Sequence, residues 1–409
     1  MTPPRLTLAE RDRRWQGLQA LMRAREMEAI VVGSFQGRER LESYLIDDFY
    51  DSIVILPAKG EPTVLTFATG RVSRSHESAR RGEDIWARDI RIGFGGAKAA
   101  EVLREKGVAR RVGLVGFGPT APGEAEGLVP LGLHRNLTAA LPGVEVADFT
   151  RDFTDFILLK SEAEIALLRR AAAVSEEACA AMVAACKPGA TEAEVFADIA
   201  HAVYRRGCDL RYPFLTLQSG PDNIGWGVPR WTIRAEPPRV LATGDLVQAE
   251  IHTCYGGQES QVQMCVAIGP LSAAHQRCAD AARASYEAGL AAVRPCATFG
   301  EVVAAMAAPL QAGGFWSKTP LLHTLTFGST GFSGANREGI PPGFEQEVEG
   351  RQRPGVRRPE LVLQPGMGLE LEPNACLGLH RVNIGGAVLV TATGAEELNR
   401  LPTRLQRAG

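Results

Sequence analysis

The chain has 409 residues, 45 % of them apolar and 22 % charged, with a formal net charge of −2 at pH 7. This length exceeds what one hydrophobic core usually organises, so two domains are expected. The balanced charge, free of any Lys/Arg block, speaks against nucleic acid as a partner. No run is apolar over the length of a signal-peptide core or a bilayer span, so the expected compartment is the cytoplasm, with no membrane partner.

The first segment alternates helix and strand. "LAERDRRWQGLQALMRARE" has helical spacing, and "EAIVVGS", "DSIVILPAKGEPTVLTF" and "RRVGLVGFG" read as strands, the second split by a turn at "PAKGEP". This predicts a small α/β domain over residues 1–155, ending near "VEVADFTRDFTDFILLK", and a second domain over 156–409. The second opens on two helices in "KSEAEIALLRRAAAVSEEACAAMVAACKPGATEAEVFADIAHAVYRRG". Ser161 with Glu164, and Thr191 with Glu194, form S/T-x-x-E capping boxes. A matching unit returns in "CADAARASYEAGLAAVRPCATFGEVVAAMAAPL". The shared pattern K/R-P-x-A-T-x-x-E-V, with Lys187 and Arg294 at corresponding points, predicts two related αα–ββ halves; the competing reading is coincidence between Ala-rich helices.

The eight cysteines (Cys179, Cys186, Cys208, Cys254, Cys265, Cys278, Cys296, Cys376) lie in apolar stretches without a C-x-x-C pair. They read as buried free thiols rather than disulfides or a zinc site.

"GDLVQAEIHTCYGGQESQVQMCVAIG" reads as a hairpin around a glycine turn. Glu250 and His252 share one face of its first strand, and Gln261 and Gln263 one face of its second. In "QPGMGLELEPNA", Glu370 and Glu372 are placed alike on a third strand that Pro373 ends. Such residues either face solvent on an open sheet or line a site. The cost of burying carboxylates makes a cluster drawn from distant segments a candidate pocket.

"KSEAEIALLRRAA", "GDLVQAEI", "QPGMGLELEP" and "AVLVTATGAEELNRLP", in this order from about residue 160 to 402, resemble the pita-bread superfamily of aminopeptidase P, prolidase and creatinase. The resemblance implies an α+β fold: a small N-terminal α/β domain, then a pita-bread domain whose two pseudo-symmetric halves surround a curved antiparallel sheet. The metallopeptidases of that superfamily bind two metal ions through Asp, His and Glu. Their ligand positions fall here on Glu250, Gln261, Thr330, Glu372 and Gly385. A two-metal site needs several hard anionic oxygens, which Gln, Thr and Gly do not supply. The expectation is therefore a site with no metal and no cofactor, closest in kind to the metal-independent creatinase-like members. In those, a "QSG" stretch corresponds to residues 218–220, a pocket Glu to Glu372, and a carboxylate-gripping Arg to Arg337 in "ANREG". Two departures accompany the likeness: the catalytic His position falls near Gly227, and a second active-site Glu falls at Gln263.

The resemblance also implies a homodimer in which the N-terminal domain lies near the partner's pocket. "YLIDDFYDS" then offers Phe49, Tyr50 and the acids Asp47, Asp48 and Asp51; acids there suit a cationic ligand, or simply form a solvated loop. Within the pocket, Glu372 is the expected general base and His252 the proton donor to a leaving nitrogen. Glu250 is expected to orient a cationic nitrogen or act as a second acid/base group. Gln261 and Gln263 suit an oxyanion or urea-like group, and Glu370 belongs to the same face. Trp226 and Trp231 are either pocket walls or core, and His323 is a minor candidate. The function these residues suggest is metal-independent hydrolysis of a C–N bond in a small amide, ureido or guanidino substrate. The alternatives are a non-catalytic binding or scaffold protein, a lyase, and a metal-dependent Xaa-Pro peptidase.

Overall fold

The computed structural model describes residues 3–33, 40–48, 52–120, 126–222, 224–318, 320–325, 338–345 and 358–408, with the side chains of 212–214 set aside. The chain divides into two compact units, Arg5–Ile157 and Leu158–Gly409, the latter joined by the N-terminal residues up to Pro4.

The first unit holds helices α1 (Leu8–Ala24), α2 (Ser43–Ile46), α3 (Thr69–Arg80), α4 (Gly96–Glu105), α5 (Leu131–Ala140) and α6 (Thr150–Leu158). Its strands are β1 (Ala29–Gly33), β2 (Ser52–Pro57), β3 (Thr63–Thr66), β4 (Asp89–Ile92), β5 (Arg111–Val115) and β6 (Glu145–Asp148). They form one mixed sheet in the order β4-β3-β2-β1-β5-β6. Val31, Ile53, Ile55 and Leu114 on its strands pack against Ala99 and Leu103 of α4 and Leu137 of α5. The Arg14 guanidinium is buried beside Glu10 at 2.8 Å and lies over the Tyr44 ring at 4.1 Å. A buried guanidinium needs this kind of carboxylate partner.

The second unit begins with α7 (Glu162–Ala185) and α8 (Glu192–Tyr204), followed by β7 (Asp209–Gly220), β8 (Leu246–Tyr255) and β9 (Gln258–Ala267). It repeats the plan with α9 (Ala273–Ala292), α10 (Phe299–Ala312), β10 (Leu322–Thr324) and β11 (Gly368–Leu371). The hairpin β12 (Asn374–Leu377) and β13 (His380–Asn383) follows, then β14 (Gly385–Val390), β15 (Ala395–Glu397) and β16 (Gln406–Arg407). The main sheet runs β10-β11-β14-β9-β8-β7. Every pairing along that path is antiparallel.

The duplication predicted from the repeated breakers is visible bond by bond. Capping boxes close the starts of α8 and α10, at Thr191/Glu194 and Thr298/Glu301. The Gly189 N–H donates to Leu241 O and the Leu241 N–H to Ala190 O; in the second half Cys296 donates to Leu363 and Leu363 to Ala297. Gly189 and Cys296 both adopt positive φ, +85° and +68°. Cys296 departs from the expectation of buried thiols: it is exposed, on this turn, while the other seven cysteines are buried. The same number of residues separates Leu241 from Glu250 as Leu363 from Glu372, so the two glutamates are equivalents in the two halves.

Alternation along the strands sorts the sheet's two faces. Ala249 and Ile251 of β8 and Val262 and Met264 of β9 pack on Ala178 and Met182 of α7 and Ile199 of α8. Leu369 and Leu371 of β11 and Val388 of β14 pack on Ala282 and Tyr286 of α9 and Met306 of α10. The intervening residues point to the opposite face. Replacing Thr191 or Thr298 by Ala should cost about 1 kcal/mol each, the usual loss for an N-cap hydroxyl. Urea unfolding measures this; clearly unequal losses would argue against equivalent halves.

Candidate active site

The face opposite the helices carries Glu250 and His252 on β8, Gln261 and Gln263 on β9, His323 on β10, and Glu370 and Glu372 on β11 or at its end. All seven are buried. The alternative of a solvated open sheet is therefore set aside. Register brings them into rows: Glu250 lies opposite Gln263 and His252 opposite Gln261, while Glu370 lies opposite His323.

Two carboxylate–imidazole pairs result. His252 Nδ1 is 3.2 Å from Glu259 Oε1 and its Nε2 is 3.6 Å from Glu250 Oε2. A carboxylate only accepts, so Nδ1 carries a proton toward Glu259 and Nε2 is turned to Glu250. Glu259 is itself 3.8 Å from Arg211 Nε. Burial works to raise the Glu250 carboxyl, but the neighbouring His252 imidazole, a hydrogen bond from Trp226 and the field of Arg381 hold it below the ordinary carboxylate value. In the second pair, His323 Nε2 lies 3.3 Å from Glu372 Oε1. Its Nδ1 is 3.0 Å from the Thr324 carbonyl, which only accepts, so the Nδ1 proton is fixed there. His323, a minor candidate in the sequence, is thus the imidazole that faces the expected base.

Between the pairs lies the seam of the two halves. Gln263 pairs with Gly385 across β9 and β14, and its Nε2 donates to Glu372 Oε2 at 2.6 Å. A Cβ on Gly385 would lie 2.5 Å from Gln263 Oε1 and 2.5 Å from Leu371 O. The Gln263 amide occupies the space that a side chain at 385 would need. Among the described residues, no three His, Cys, Asp or Glu side chains gather closely enough to hold a metal ion. Glu250 and Glu372 are each engaged with an imidazole, Gln261 is neutral and Gly385 has no side chain, so the described donors do not fit a two-metal centre.

A shallow pocket, open to solvent, lies beside Glu250. Thr216 and Gln218 of β7, Gln248 of β8, Trp226, and Arg381 and Asn383 of β13 are among its walls. Trp226, for which core was one reading, is 47 % exposed and stands at this pocket. Trp231 meets Phe196 edge-on at 5.7 Å. Asn383 Nδ2 reaches Glu250 Oε1 at 3.4 Å. Sequence reasoning missed Glu259, Arg381 and Asn383. The alternation that singled out Gln261 and Gln263 extends back to Glu259, and "HRVNIGG" carries the same period-two signal at Arg381 and Asn383. Phe49, Tyr50, Asp51, Thr330 and Arg337 lie outside the described residues. Asp48 is 3.0 Å from the buried Arg71 guanidinium.

Glu370 is the most constrained member of the face. It is fully buried, and neither carboxyl oxygen has a hydrogen-bond partner among the described residues. Burial, then repulsion from Glu372, Glu250 and Glu259, raises its carboxyl well above the ordinary value, which favours the neutral form. The folded chain thus binds a proton that the unfolded chain releases above pH about 4.5. Stability from this residue is full below that pH and falls by about 1.4 kcal/mol per unit above it, until the folded value is reached. A Glu370→Gln variant should therefore melt at a higher temperature than wild type at pH 7–8, the two converging near pH 4. Calorimetry across pH checks this, and a constant offset would contradict it.

The chain is similar to a creatinase of a Bacillus species, 23 % identical over 70 % of this chain and 68 % of that one. It is also similar to an agropine synthesis cyclase of Rhizobium rhizogenes, 29 % identical over 72 % and 70 %. The crystal structure of dipeptidase PepE from Mycobacterium ulcerans superposes with a TM-score of 0.72 at 24 % identity, covering 99 % of both chains, and shows that the two share a fold. The model of metallopeptidase family M24 matches residues 166–392, and with more than half of its length so matched, the chain belongs to that family.

Proposed function

We propose that this M24-family chain is an acid/base hydrolase of a C–N bond in a small amide, ureido or guanidino substrate, working without a metal ion. The observation that carries the proposal is the pair of buried carboxylate–imidazole couples, Glu250–His252 and Glu372–His323, on one face of the sheet, with a neutral amide and a glycine where further anionic ligands would be needed. Glu372, held by Gln263 and His323, takes a proton from water as the water oxygen bonds to the substrate carbon. The electrons pushed onto the substrate oxygen or nitrogen are met by the Gln261 amide. His252, steadied at Nδ1 by Glu259, delivers a proton from Nε2 to the nitrogen as the C–N bond breaks. Gln263 has an N–H committed to Glu372, so it positions the base rather than the substrate. Glu250, held below the ordinary carboxylate value, receives an N–H or a cationic nitrogen.

The cyclase relative favours a second reading, in which the same groups activate an internal nucleophile of the substrate in place of water. Product analysis separates the two: hydrolysis incorporates one oxygen from labelled water, whereas ring closure incorporates none.

Elemental mass spectrometry of dialysed protein, followed by turnover of small amides, ureido acids and guanidino acids with and without chelator, tests the proposal. Metal below stoichiometric amounts and chelator-insensitive turnover are expected. Glu372→Gln should lower kcat by about 10²–10⁴-fold, the range for a lost general base. One or two tightly held ions per chain, with activity lost on chelation, would overturn the metal-free mechanism and restore the peptidase reading.

A further inference from the structure

Arg381 raises a question that the acid/base scheme leaves unanswered. Its side chain is only 4 % exposed and forms part of the wall of the pocket beside Glu250. Its Nη1 donates to the neutral Asn374 Oδ1 at 3.3 Å, and its Nε has no hydrogen-bond partner among the described residues. No carboxylate of the described residues lies within ion-pair distance of it. The contrast with Arg14 in the first unit is direct, since that equally buried guanidinium is held by Glu10. A buried cation that lacks an anion is unfavourable in the empty protein, and its planar fork matches a carboxylate.

We propose that Arg381 is the substrate's carboxylate anchor, so that the pocket takes a small carboxylic acid bearing an N–H or cationic nitrogen, carboxylate on Arg381 and nitrogen on Glu250. This names the substrate class for the site proposed above and rests on that reading. Arg381 and Glu250 both line this one solvent-open pocket, so a single small molecule can meet the two charges together. Trp226 at the same pocket adds an aromatic wall beside Glu250. Asn383, whose Oδ1 has no partner among the described residues, adds an acceptor beside the nitrogen. Arg381 acts here on specificity and not on the bond-breaking step.

The test uses the full-length protein with N-carbamoylglycine and guanidinoacetate as probes, each compared with its uncharged-carboxyl primary amide. In wild type the acids should raise the melting temperature, and the amides should need at least about tenfold higher concentration for the same shift. Arg381→Met should melt no lower than wild type without ligand, because it removes a buried unpaired charge, and should lose the response to the acids. Arg381→Lys should retain a weakened response, since the charge stays and the fork is gone. If Arg381→Met fails to fold or melts several degrees lower, Arg381 is a structural strut held by Asn374 and the proposal falls. It falls also if tens of millimolar acid leave wild type unmoved, or move wild type and Arg381→Met alike. Acids that bind through Arg381 but are never turned over would sustain this inference and sink the hydrolase reading. Turnover of the acids with the same KM in wild type and Arg381→Met would do the reverse.

Discussion

The hydrogen bond from the Gln263 amide to Glu372, made across the seam where the two halves of the second unit meet, fixes the character of the whole polar face. Gln263 sits opposite Gly385 at the point where the duplicated halves pair. An amide in that place fills the volume beside Gly385 and donates a hydrogen bond to a carboxylate that would otherwise repel its neighbours. With an acid at 263 and a side chain at 385, the face would concentrate negative charge that only cations could offset. With Gln and Gly, each glutamate instead turns to an imidazole, Glu250 to His252 and Glu372 to His323. The face then becomes one on which protons can be held and moved.

The duplication explains why the two couples resemble each other without being identical. Glu250 and Glu372 descend from equivalent positions, reached from equivalent turns at Gly189 and Cys296. Their imidazoles come from different places: His252 follows Glu250 on its own strand, whereas His323 stands on the strand next to Glu370 and Glu372. Glu370 corresponds to Gln248 of the first half. Gln248 accepts from Cys265 Sγ at 3.5 Å, while Glu370 has no such donor among the described residues and its carboxyl is shifted toward the neutral form instead. A neutral carboxyl is the form that burial without a partner permits.

The hairpin of β12 and β13 breaks the symmetry more strongly. It has no counterpart between β8 and β9, which a glycine turn joins directly. By bringing Arg381 and Asn383 beside Glu250, it gives the pocket a positive group and a negative one within a small volume. Binding of a zwitterionic or N–H-bearing acid would satisfy both at once, a match that neither half of the duplication supplies alone.

Much of this architecture was legible in the residues. The helical spacing of α7 to α10, the capping boxes at Ser161, Thr191 and Thr298, and the alternation in "VQAEIHT" and "GLELE" are local signals. They determine element type and face because side-chain period and backbone capping are short-range physics. The same alternation put Glu250 with His252, Gln261 with Gln263, and Glu370 with Glu372, each pair on one face of its own strand. What the sequence could not decide was which of them touch. That His323 meets Glu372, that Glu259 steadies His252, and that Gln263 serves a carboxylate all depend on the order in which strands from distant segments pair. Alternation in "HRVNIGG" marks Arg381 and Asn383 as sharing a face, but nothing local distinguishes a guanidinium lacking a carboxylate among its neighbours from one that has found its partner. That distinction is made only by the tertiary packing around it.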